Sequence, residues 1–243
     1  MESMMIDLSN VTGCIAIIPA AGIGKRFNDK VAKQYQTIND KKILDITLDL
    51  FLNSSRIEKV LLIVSPEDEQ FKKLDSIYHE KIIVIDGGQE RHFSVNNGLK
   101  YLYDNGMPDD KPVLIHDAVR PCLSEKDLNS LIDYFDEHKK ACFLAEKVID
   151  SLKKVDENDQ VIKSVEREEL VHALTPQMAS FIDLKKALYQ VIKSGITITD
   201  DVSALTGNDI DVFAVFAKDL NPKVTLKKDL ELARQILSSR EKN

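Results

Sequence analysis

The sequence predicts an α/β domain of three layers, in which helices cover both faces of a mainly parallel β-sheet. Short apolar runs alternate with amphipathic segments along the 243 residues, and the apolar runs are continuous instead of alternating with polar residues. Continuous runs are typical of strands that are buried on both faces. The predicted strands cover residues 14–18, 60–64, 82–85, 113–115, 141–147 and 211–216.

Helical patterns lie between several of these strands. Apolar side chains there recur every three or four residues, which places them on one face of a helix. Three such faces consist of Val95, Leu99, Leu102 and Tyr103, of Leu128, Leu131, Ile132 and Phe135, and of Leu226, Leu230, Ala233 and Ile236 or Leu237. Because helices that connect parallel strands form right-handed crossovers, the alternation predicts a Rossmann-like domain.

Residues 148–171 interrupt the alternation of strands and helices. Two runs that can form strands are separated there by the polar segment ENDQ at 157–160, which is a turn signal. We therefore predict a single domain, residues 1–243, with a projecting β-hairpin arm at about 148–171. An arm of this kind often mediates contact between two subunits. The alternative interpretation is a disordered surface loop.

Composition and charge exclude several classes of function. The formal net charge of −7 argues against a protein that binds nucleic acid through a basic face, although it is compatible with a small anionic substrate. The first residues lack the regions of a signal peptide, and no apolar run approaches the ~20 residues that span a bilayer. Cys14, Cys122 and Cys142 are too scattered for a metal cluster or a disulfide framework. We expect a cytoplasmic protein with no nucleic-acid or membrane partner.

The first predicted strand ends in a turn rich in small residues. The segment from Pro19 reads PAAGIGKR, with Phe27 after it. Nucleotides bind at this edge of parallel sheets, and small residues let backbone N–H groups approach phosphate oxygens. Phe27 breaks the dinucleotide fingerprint, and Arg26 stands where a Walker loop requires Ser or Thr. A glycine turn beside three cations therefore predicts a triphosphate site, which consists of Gly22, Gly24, Lys25, Arg26 and Lys33.

A second glycine loop follows the third predicted strand. Gly87 and Gly88 lie in the segment DGGQER at 86–91, just before the helical face that contains Val95. This position places the loop on the same carboxyl edge of the sheet as the first loop, which favours contact with the nucleotide. The alternative is a tight turn that binds no ligand.

An aspartate follows the fourth predicted strand, in the segment HDAVRP at 116–121. A carboxylate at the end of a strand is a suitable ligand for a Mg²⁺ ion that bridges phosphates, so Asp117 is the predicted metal ligand. The alternative role for Asp117 is the N-cap of a helix. We interpret His116 as a packed or hydrogen-bonded side chain and Arg120 as a residue that stabilises the loop.

These residues together indicate metal-assisted chemistry on a nucleoside triphosphate, with lysine and arginine balancing the charge of the phosphates. No Ser-His-Asp or Cys-His arrangement can be recognised in the sequence. The reaction is therefore expected to depend on electrostatic stabilisation and not on a covalent intermediate.

Several motifs, in order along the chain, resemble those of one known family. They are PAAGIGKRF at 19–27, KQY at 33–35, DGGQER at 86–91, HDAVRP at 116–121, TPQ at 175–177, ITDDVSAL at 198–205 and NPKVT at 221–225. From about residue 14 to residue 237 the chain resembles the 2-C-methyl-D-erythritol 4-phosphate cytidylyltransferases of the non-mevalonate isoprenoid pathway. The resemblance implies a homodimer whose β-arm reaches into the active site of the partner. It also implies that CTP and the polyol phosphate give a CDP-alcohol and pyrophosphate, with Mg²⁺.

The resemblance further implies a role for each matching residue. Arg26 and Lys33 would stabilise the transition state, and Asp117 would hold the metal. The cytidine pocket would consist of Ala20, Ala21, Gly22, Gly88, Gln89 and Ser94. The polyol phosphate would contact Ser151, Arg167 and Thr175, with the arm residues donated across the dimer. Lys223 would contact phosphate in its own subunit.

The chain departs from the usual sequence of that family at three positions. Ala32 stands where the family has a proline before the catalytic lysine, so we expect a more mobile loop. Ser151 replaces a threonine on the arm, and it keeps the hydroxyl while losing a methyl group. Pro222 replaces an isoleucine before Lys223 and removes one backbone donor. None of these changes removes a charge that the chemistry needs.

Three other functions stay open at this point. A ribitol-5-phosphate cytidylyltransferase has the same fold and is compatible with HDAVRP, although PAAG and ITDDVSAL favour the isoprenoid enzyme. Sugar-nucleotide pyrophosphorylases share a glycine-rich first loop, but they are usually longer and arrange their lysines differently. A non-catalytic nucleotide-binding module would usually have lost the metal ligand or a loop cation, whereas Asp117, Arg26, Lys33 and Lys223 are all present.

Overall fold

The structure, a computed structural model, describes residues 6–22 and 31–240. Within these residues, seven strands form one central sheet and four more form two small antiparallel sheets. The strands, β1–β11 in chain order, are Cys14–Pro19, Thr37–Ile38, Lys41–Lys42, Ile57–Val64, Ile82–Asp86, Pro112–Ile115, Ala141–Lys147, Leu152–Val155, Val161–Val165, Val171–Ser180 and Val212–Phe216. The α-helices, α1–α6, are Ile43–Asn53, Arg91–Asp104, Glu125–His138, Phe181–Ser194, Asp201–Thr206 and Lys227–Arg240.

The central sheet has the strand order β11-β7-β10-β6-β1-β4-β5. Neighbouring strands are parallel except at β10, which is antiparallel to both β6 and β7. The sheet is therefore mainly parallel, as the sequence predicts. All six predicted strands belong to it, and their ends differ from the predicted bounds by no more than three residues.

Strand β10 is the member of the central sheet that the sequence did not predict. It contains Pro176, which has no backbone N–H to donate, and a proline inside a run argues against a central strand. The structure accommodates the proline because the pairing of β10 with β7 shifts its register between Ala173 and Gln177. The ladder is regular on either side of that shift, so β10 pairs with both of its neighbours.

Two apolar layers pack on the two faces of the sheet. Along β1, Ala16 and Ile18 belong to one cluster, while Ile15 and Ile17 belong to the other. The first cluster includes side chains of α1 and α3, and the second includes side chains of α2, α4 and α5. Because alternate side chains of a strand point to opposite faces, each buried strand supplies both layers. This is the predicted three-layer arrangement.

Helix α6 packs outside these two layers, in a third cluster. Its buried Ala233 shares that cluster with Val119, which follows β6, and with Val224, which precedes the helix. The predicted apolar face of α6 is present except for Leu226, which lies just before the first helical residue. The helix therefore holds the segment that carries Lys223 against the loop that carries Asp117.

The segment between β7 and β10 contains a β-hairpin. Strands β8 and β9 pair antiparallel from Leu152↔Val165 to Val155↔Val161, and the ENDQ segment lies at the turn between them. The predicted hairpin is thus present, and the alternative of a disordered loop is wrong. Val161 and Ile162 of β9 are 58% and 56% exposed, so the arm presents apolar side chains to its surroundings.

Two further expectations concern the cysteines and the membrane. Cys14, Cys122 and Cys142 are free thiols with buried side chains. Burial raises the pKa of Cys122 to about 11 and that of Cys142 to about 12, so both thiols pack as neutral groups. Among the described residues, no helix combines the length and the apolar character that a bilayer crossing requires.

Candidate active site

A cleft of about 170 Å³ lies at the carboxyl edge of the central sheet. Parallel strands β1, β5 and β6 end beside it, which is the position where open α/β sheets bind ligands. Its lining comes from four loops and the start of α2. These residues are Pro19, Ala20, Ala21, Gly22, Lys33, Gln34, Gly88, Gln89, Glu90, Arg91, Ser94, Asp117, Ala118, Val119 and Lys223.

The two glycine loops of the cleft pack directly against each other at Gly87. A Cβ atom placed on Gly87 would lie 2.6 Å from the Cβ of Ala21 and 3.0 Å from the carbonyl oxygen of Val64. The N–H of Gly87 also donates to that carbonyl, at 2.6 Å. Only glycine fits this contact without displacing one of the loops, so the tight turn also forms one wall of the cleft.

Ser94 holds the second glycine loop in its conformation. Its Oγ accepts a hydrogen bond from the N–H of Gly88 at 3.1 Å and donates to the carbonyl oxygen of Glu90 at 3.2 Å. Ser94 lies in the first turn of α2 and its side chain also lines the cleft. The hydroxyl therefore links the loop to the start of the helix.

Asp117 is the electrostatic centre of the cleft. Its Oδ2 lies 2.9 Å from the Nζ of Lys223 and 3.3 Å from the Nε of Arg120, and its Oδ1 lies 3.5 Å from the Nε of Arg91. Burial opposes ionisation of this carboxyl, but Arg91, Lys223 and Arg120 outweigh burial and hold its pKa well below the usual range. Asp117 is therefore a carboxylate at any physiological pH.

Arg91 is shared between two carboxylates. Its Nη2 lies 2.6 Å from the Oδ2 of Asp201, the first residue of α5, whose side chain is fully buried. The other oxygen of Asp201 has no hydrogen-bond partner among the described residues. Burial acts against the charge on Arg91, but Asp201 and then Asp117 outweigh it and raise the pKa of the guanidinium. Arg91 is thus a fixed cation between α5 and the cleft.

His116 and Thr175 form a buried hydrogen-bond chain beneath Asp117. The Thr175 Oγ1 accepts from the N–H of Asp117 at 3.1 Å and lies 3.0 Å from the Nδ1 of His116. The Nε2 of His116 lies 3.1 Å from the carbonyl oxygen of Arg120, which can only accept, so Nε2 carries the proton and Nδ1 accepts from Thr175. Burial lowers the pKa of His116 to about 4. The predicted role of a hydrogen-bonded, non-catalytic histidine fits this geometry.

Arg120 and Asn221 position the segment that carries Lys223. Arg120 donates from Nη1 to the carbonyl oxygen of Asn221 at 2.7 Å, and Asn221 donates from Nδ2 to the carbonyl oxygen of Thr175 at 2.9 Å. The N–H of Val224 donates to the carbonyl of Val119 at 2.9 Å. Arg120 therefore stabilises the loop, as the sequence predicts. Asp117 is not a helix cap, because α3 begins at Glu125 with Ser124 as its cap.

Comparison with known proteins identifies the family. The family model described as IspD, 2-C-methyl-D-erythritol 4-phosphate cytidylyltransferase, matches residues 14–239. A protein of that name from Shewanella loihica is 37% identical over 235 residues, which cover 96% of this chain and 95% of that protein. The chain belongs to the IspD family. Another relative of that name, from Vibrio cholerae, is also 37% identical over 95% of this chain and 97% of its own.

Solved structures agree with membership of the IspD family. IspD from Francisella tularensis superposes with a TM-score of 0.79 at 33% identity, over 93% of this chain and all of that one. A 4-diphosphocytidyl-2C-methyl-D-erythritol synthase gives a TM-score of 0.80 at 30% identity, over 93% and 98% of the two chains. The IspD-family chain is therefore an enzyme of the nucleotidyltransferase class, and the ribitol-phosphate alternative is not favoured.

The structure brings together most of the predicted site residues of this IspD-family chain. Those that line the cleft are Ala20, Ala21, Gly22, Lys33, Gly88, Gln89, Ser94, Asp117 and Lys223. Gly24, Lys25 and Arg26 lie outside the described residues. Of the three predicted contacts to the polyol phosphate, Ser151 and Arg167 are exposed on the arm, and Thr175 is buried under Asp117, so none is among the described lining residues.

Sequence reasoning missed the roles of Gln34, Arg91 and Asp201. All three stand inside motifs of the resemblance, KQY, DGGQER and ITDDVSAL. The signal that marked the motifs did not reveal the contacts, because Arg91 and Asp201 are 110 residues apart in sequence. Only the packing of α5 beside the start of α2 pairs them.

The donor set around Asp117 is compatible with Mg²⁺. No group of three or more His, Cys, Asp or Glu side chains suited to a metal occurs among residues 6–22 and 31–240. Mg²⁺ is commonly held by one or two carboxylates together with substrate phosphates, however, and it does not need a cage made only of protein. The ionised Asp117 can supply the one carboxylate.

Proposed function

We propose that this IspD-family chain transfers CMP from CTP to 2-C-methyl-D-erythritol 4-phosphate and releases pyrophosphate. The observation that carries the proposal is the set of charges around Asp117. One carboxylate and the cations Lys223, Arg91 and Arg120 meet beside two glycine loops at the carboxyl edge of the sheet. Family membership then supplies the identity of the nucleotide and of the acceptor.

The reaction proposed for this cleft joins two anions. A phosphate oxygen of the polyol phosphate attacks the α-phosphorus of CTP in line, the bond to the bridging oxygen breaks, and pyrophosphate leaves with the electron pair. Charge therefore develops on the α-phosphoryl group and on the leaving group, where fixed cations stabilise it. Lys33, on the 3₁₀ turn Lys33–Tyr35 at the cleft, and Arg26 are the residues proposed for this role.

Asp117 and Lys223 are proposed to organise the phosphates. Lys223 is 38% exposed at its side chain, so its ammonium is accessible to a substrate phosphate while it lies beside Asp117. A Mg²⁺ ion held by Asp117 would neutralise charge on the triphosphate when bound. The fixed pairs of Arg91 with Asp201 and of Arg120 with Asn221 leave Asp117 in place when a phosphate binds.

The two glycine loops are proposed to bind the nucleotide. Ala20, Ala21, Gly22 and Gly88 carry at most a methyl side chain, so the backbone N–H groups of these loops can come close to a phosphate or to the base. The proposed nucleotide site consists of Ala20, Ala21, Gly22, Gly24, Lys25, Gly88, Gln89 and Ser94.

We propose that the enzyme is a homodimer and that the arm at about 148–171 completes the site of its partner. Ser151 and Arg167 are exposed on the arm, and neither is among the described residues that line the cleft of their own chain. Arg167 donates to the carbonyl oxygen of Ile149, which ties the two ends of the arm together. Ile149, at 75% exposure, and the outer residues of β9 offer an apolar surface to the partner. Because CTP is a cytoplasmic substrate, the cytoplasm is the proposed location.

A pyrophosphate-release assay tests the proposed reaction. Purified protein is incubated with CTP, UTP, ATP or GTP, with either 2-C-methyl-D-erythritol 4-phosphate or ribitol 5-phosphate, and with or without Mg²⁺. Release that requires CTP, the erythritol phosphate and Mg²⁺ is the expected result. Pyrophosphate release with ribitol 5-phosphate but not with the erythritol phosphate would show that ribitol 5-phosphate is the acceptor. CTP binding without pyrophosphate release under any condition would favour the non-catalytic module.

Mixed dimers test whether the arm acts across subunits. Lys33→Ala and Arg167→Ala subunits are each expected to be nearly inactive as homodimers. In a mixed dimer one site carries both lesions, while the other combines intact Lys33 with the intact arm of the partner. A purified mixed dimer is expected to have about half of the wild-type activity, and an equal mixture of the two subunits after exchange about a quarter, because random pairing makes only about half of the dimers mixed. Mixed dimers that stay inactive would show that each arm serves its own subunit.

A further inference from the structure

Gln34 connects the 3₁₀ turn that carries Lys33 to the first glycine loop. Its side chain is 3% exposed, and its Nε2 donates to the carbonyl oxygen of Ala20 at 2.8 Å and to that of Gly22 at 3.2 Å. An amide nitrogen carries two hydrogens, so both are used within one loop. The side chain also lines the cleft.

The two hydrogen bonds determine which way the loop presents its backbone. A trans peptide unit is planar, and its N–H lies on the side opposite to its C=O. Since the Ala20 carbonyl faces Gln34, the N–H of Ala21 in the same peptide unit faces away from Gln34. A backbone N–H held in a fixed direction at the end of a strand is a donor suited to a phosphate oxygen.

The turn that carries Gln34 is itself fixed to the core. The neighbouring Tyr35 is buried, its hydroxyl donates to the Oδ2 of Asp68 at 2.6 Å, and its N–H donates to the carbonyl of Ala32 at 2.9 Å. Lys33 therefore extends from a turn held by Tyr35 on one side and by Gln34 on the other. The loop backbone and the lysine are held in one unit.

We propose that Gln34 is a positioning residue for the nucleotide. Its amide holds the backbone of residues 20–22 in the orientation that binds the triphosphate, and it keeps this backbone in register with Lys33. The inference rests on the proposed function, because it places CTP in this cleft. It goes beyond that function by assigning the recognition of CTP to a side chain that need not touch the reacting atoms.

The substitution Gln34→Glu tests the role of the amide with little change in shape. A carboxylate cannot donate at neutral pH, and it would face two carbonyl oxygens and the triphosphate. Loss of two buried hydrogen bonds is expected to raise the Kd and the KM for CTP by about 10- to 100-fold. The KM for the polyol phosphate should change less than about threefold, because the loop at 20–22 is assigned to the nucleotide.

Gln36→Glu is the matched control on the same turn. It introduces the same charge two residues away, and the Gln36 side chain makes a single exposed hydrogen bond, from Nε2 to the carbonyl of Val31 at 3.1 Å. Its Kd for CTP should stay within about twofold of wild type. Gln34→Met, which removes the donors without adding charge, should raise the Kd by about 3- to 10-fold.

The measurements are CTP binding by calorimetry, steady-state KM for each substrate, and thermal unfolding. The inference is supported if both Gln34 variants bind CTP more weakly than Gln36→Glu does, with the KM effect concentrated on CTP. It is overturned if Gln34→Met binds CTP like wild type, if the KM values for both substrates rise by the same factor, or if only the apparent kcat falls, in proportion to lost folded protein. Wild-type protein that binds CTP without releasing pyrophosphate would refute the proposed function, and the binding comparison would still decide the role of Gln34.

Discussion

Substitution of Asp201 by asparagine isolates the contribution of one buried ion pair next to the cleft. The Oδ2 of Asp201 lies 2.6 Å from the Nη2 of Arg91, and the Asp201 side chain is completely buried. The surface pair of Asp133 and Arg56 has nearly the same distance, 2.8 Å, but Asp133 is 66% exposed. Asp201→Asn and Asp133→Asn thus remove the same charge from similar pairs in opposite environments.

The expected magnitudes follow from burial. Removing one partner of a buried pair costs about 3–5 kcal/mol, because the remaining charge is left without compensation. The Arg91 side chain is 28% exposed, and its Nε lies 3.5 Å from a second carboxylate, the Oδ1 of Asp117. We therefore expect the cost of Asp201→Asn at the lower end of this range, about 3 kcal/mol. For a chain of this length that corresponds to a fall in Tm of about 6–12 °C. Asp133→Asn should cost about 0–1 kcal/mol, or less than about 4 °C.

Differential scanning calorimetry of the three proteins, at one pH and salt concentration, measures the difference. We also expect Asp201→Asn to lower kcat/KM for CTP by about tenfold. An Arg91 that is released from Asp201 is drawn to Asp117, and it then weakens the hold of Asp117 on the metal that would neutralise the triphosphate. Equal Tm values for Asp201→Asn and Asp133→Asn would show that burial does not decide the strength of the Arg91 pair, and the reasoning would be refuted.

Three further substitutions test separate parts of the cleft. Lys33→Ala should lower turnover by about 10²- to 10³-fold, as for loss of one preorganised charge, and near-normal pyrophosphate release by the folded variant would contradict its role. Gly87→Ala should lower the free energy of unfolding in urea by about 1–3 kcal/mol and raise the KM for CTP, because the new Cβ would lie 2.6 Å from the Cβ of Ala21. An unchanged KM would show that the two loops can separate without an effect on the nucleotide site. Thr175→Val should destabilise the fold by about 2–4 kcal/mol in urea unfolding, since the N–H of Asp117 and the Nδ1 of His116 both lose their partner. A cost under about 1 kcal/mol would count against the importance of this buried hydrogen-bond chain.

The strands and layers of the fold were predictable wherever one local pattern was decisive. β1 is a continuous apolar run and lies in the interior of the sheet, between β4 and β6. β10 was not predictable, because Pro176 and its polar neighbours argue against a strand when only the local sequence is considered. The register shift that accommodates the proline depends on β7, which is distant in sequence.

The cleft was predictable to a similar degree. Asp117 and the two glycine loops could be placed at one edge because the carboxyl ends of parallel strands meet there. The partners of Asp117 were only partly predictable. The sequence predicts a phosphate contact for Lys223 and a stabilising role for Arg120. Their 2.9 Å and 3.3 Å contacts with Asp117, however, require α6 to hold its preceding segment against the loop after β6.

By itself, the sequence determined the α/β class, the hairpin, the family and the edge of the sheet at which chemistry is expected. Each of these depends on the spacing of residues that are near one another in the chain, and such spacing can be read without coordinates. Tertiary structure alone decided that Arg91 pairs with Asp201, that Thr175 lies buried under Asp117, and that Gln34 holds the first loop. These contacts join segments whose separation in space is set by how helices pack on the sheet, and that packing is a property of the whole core.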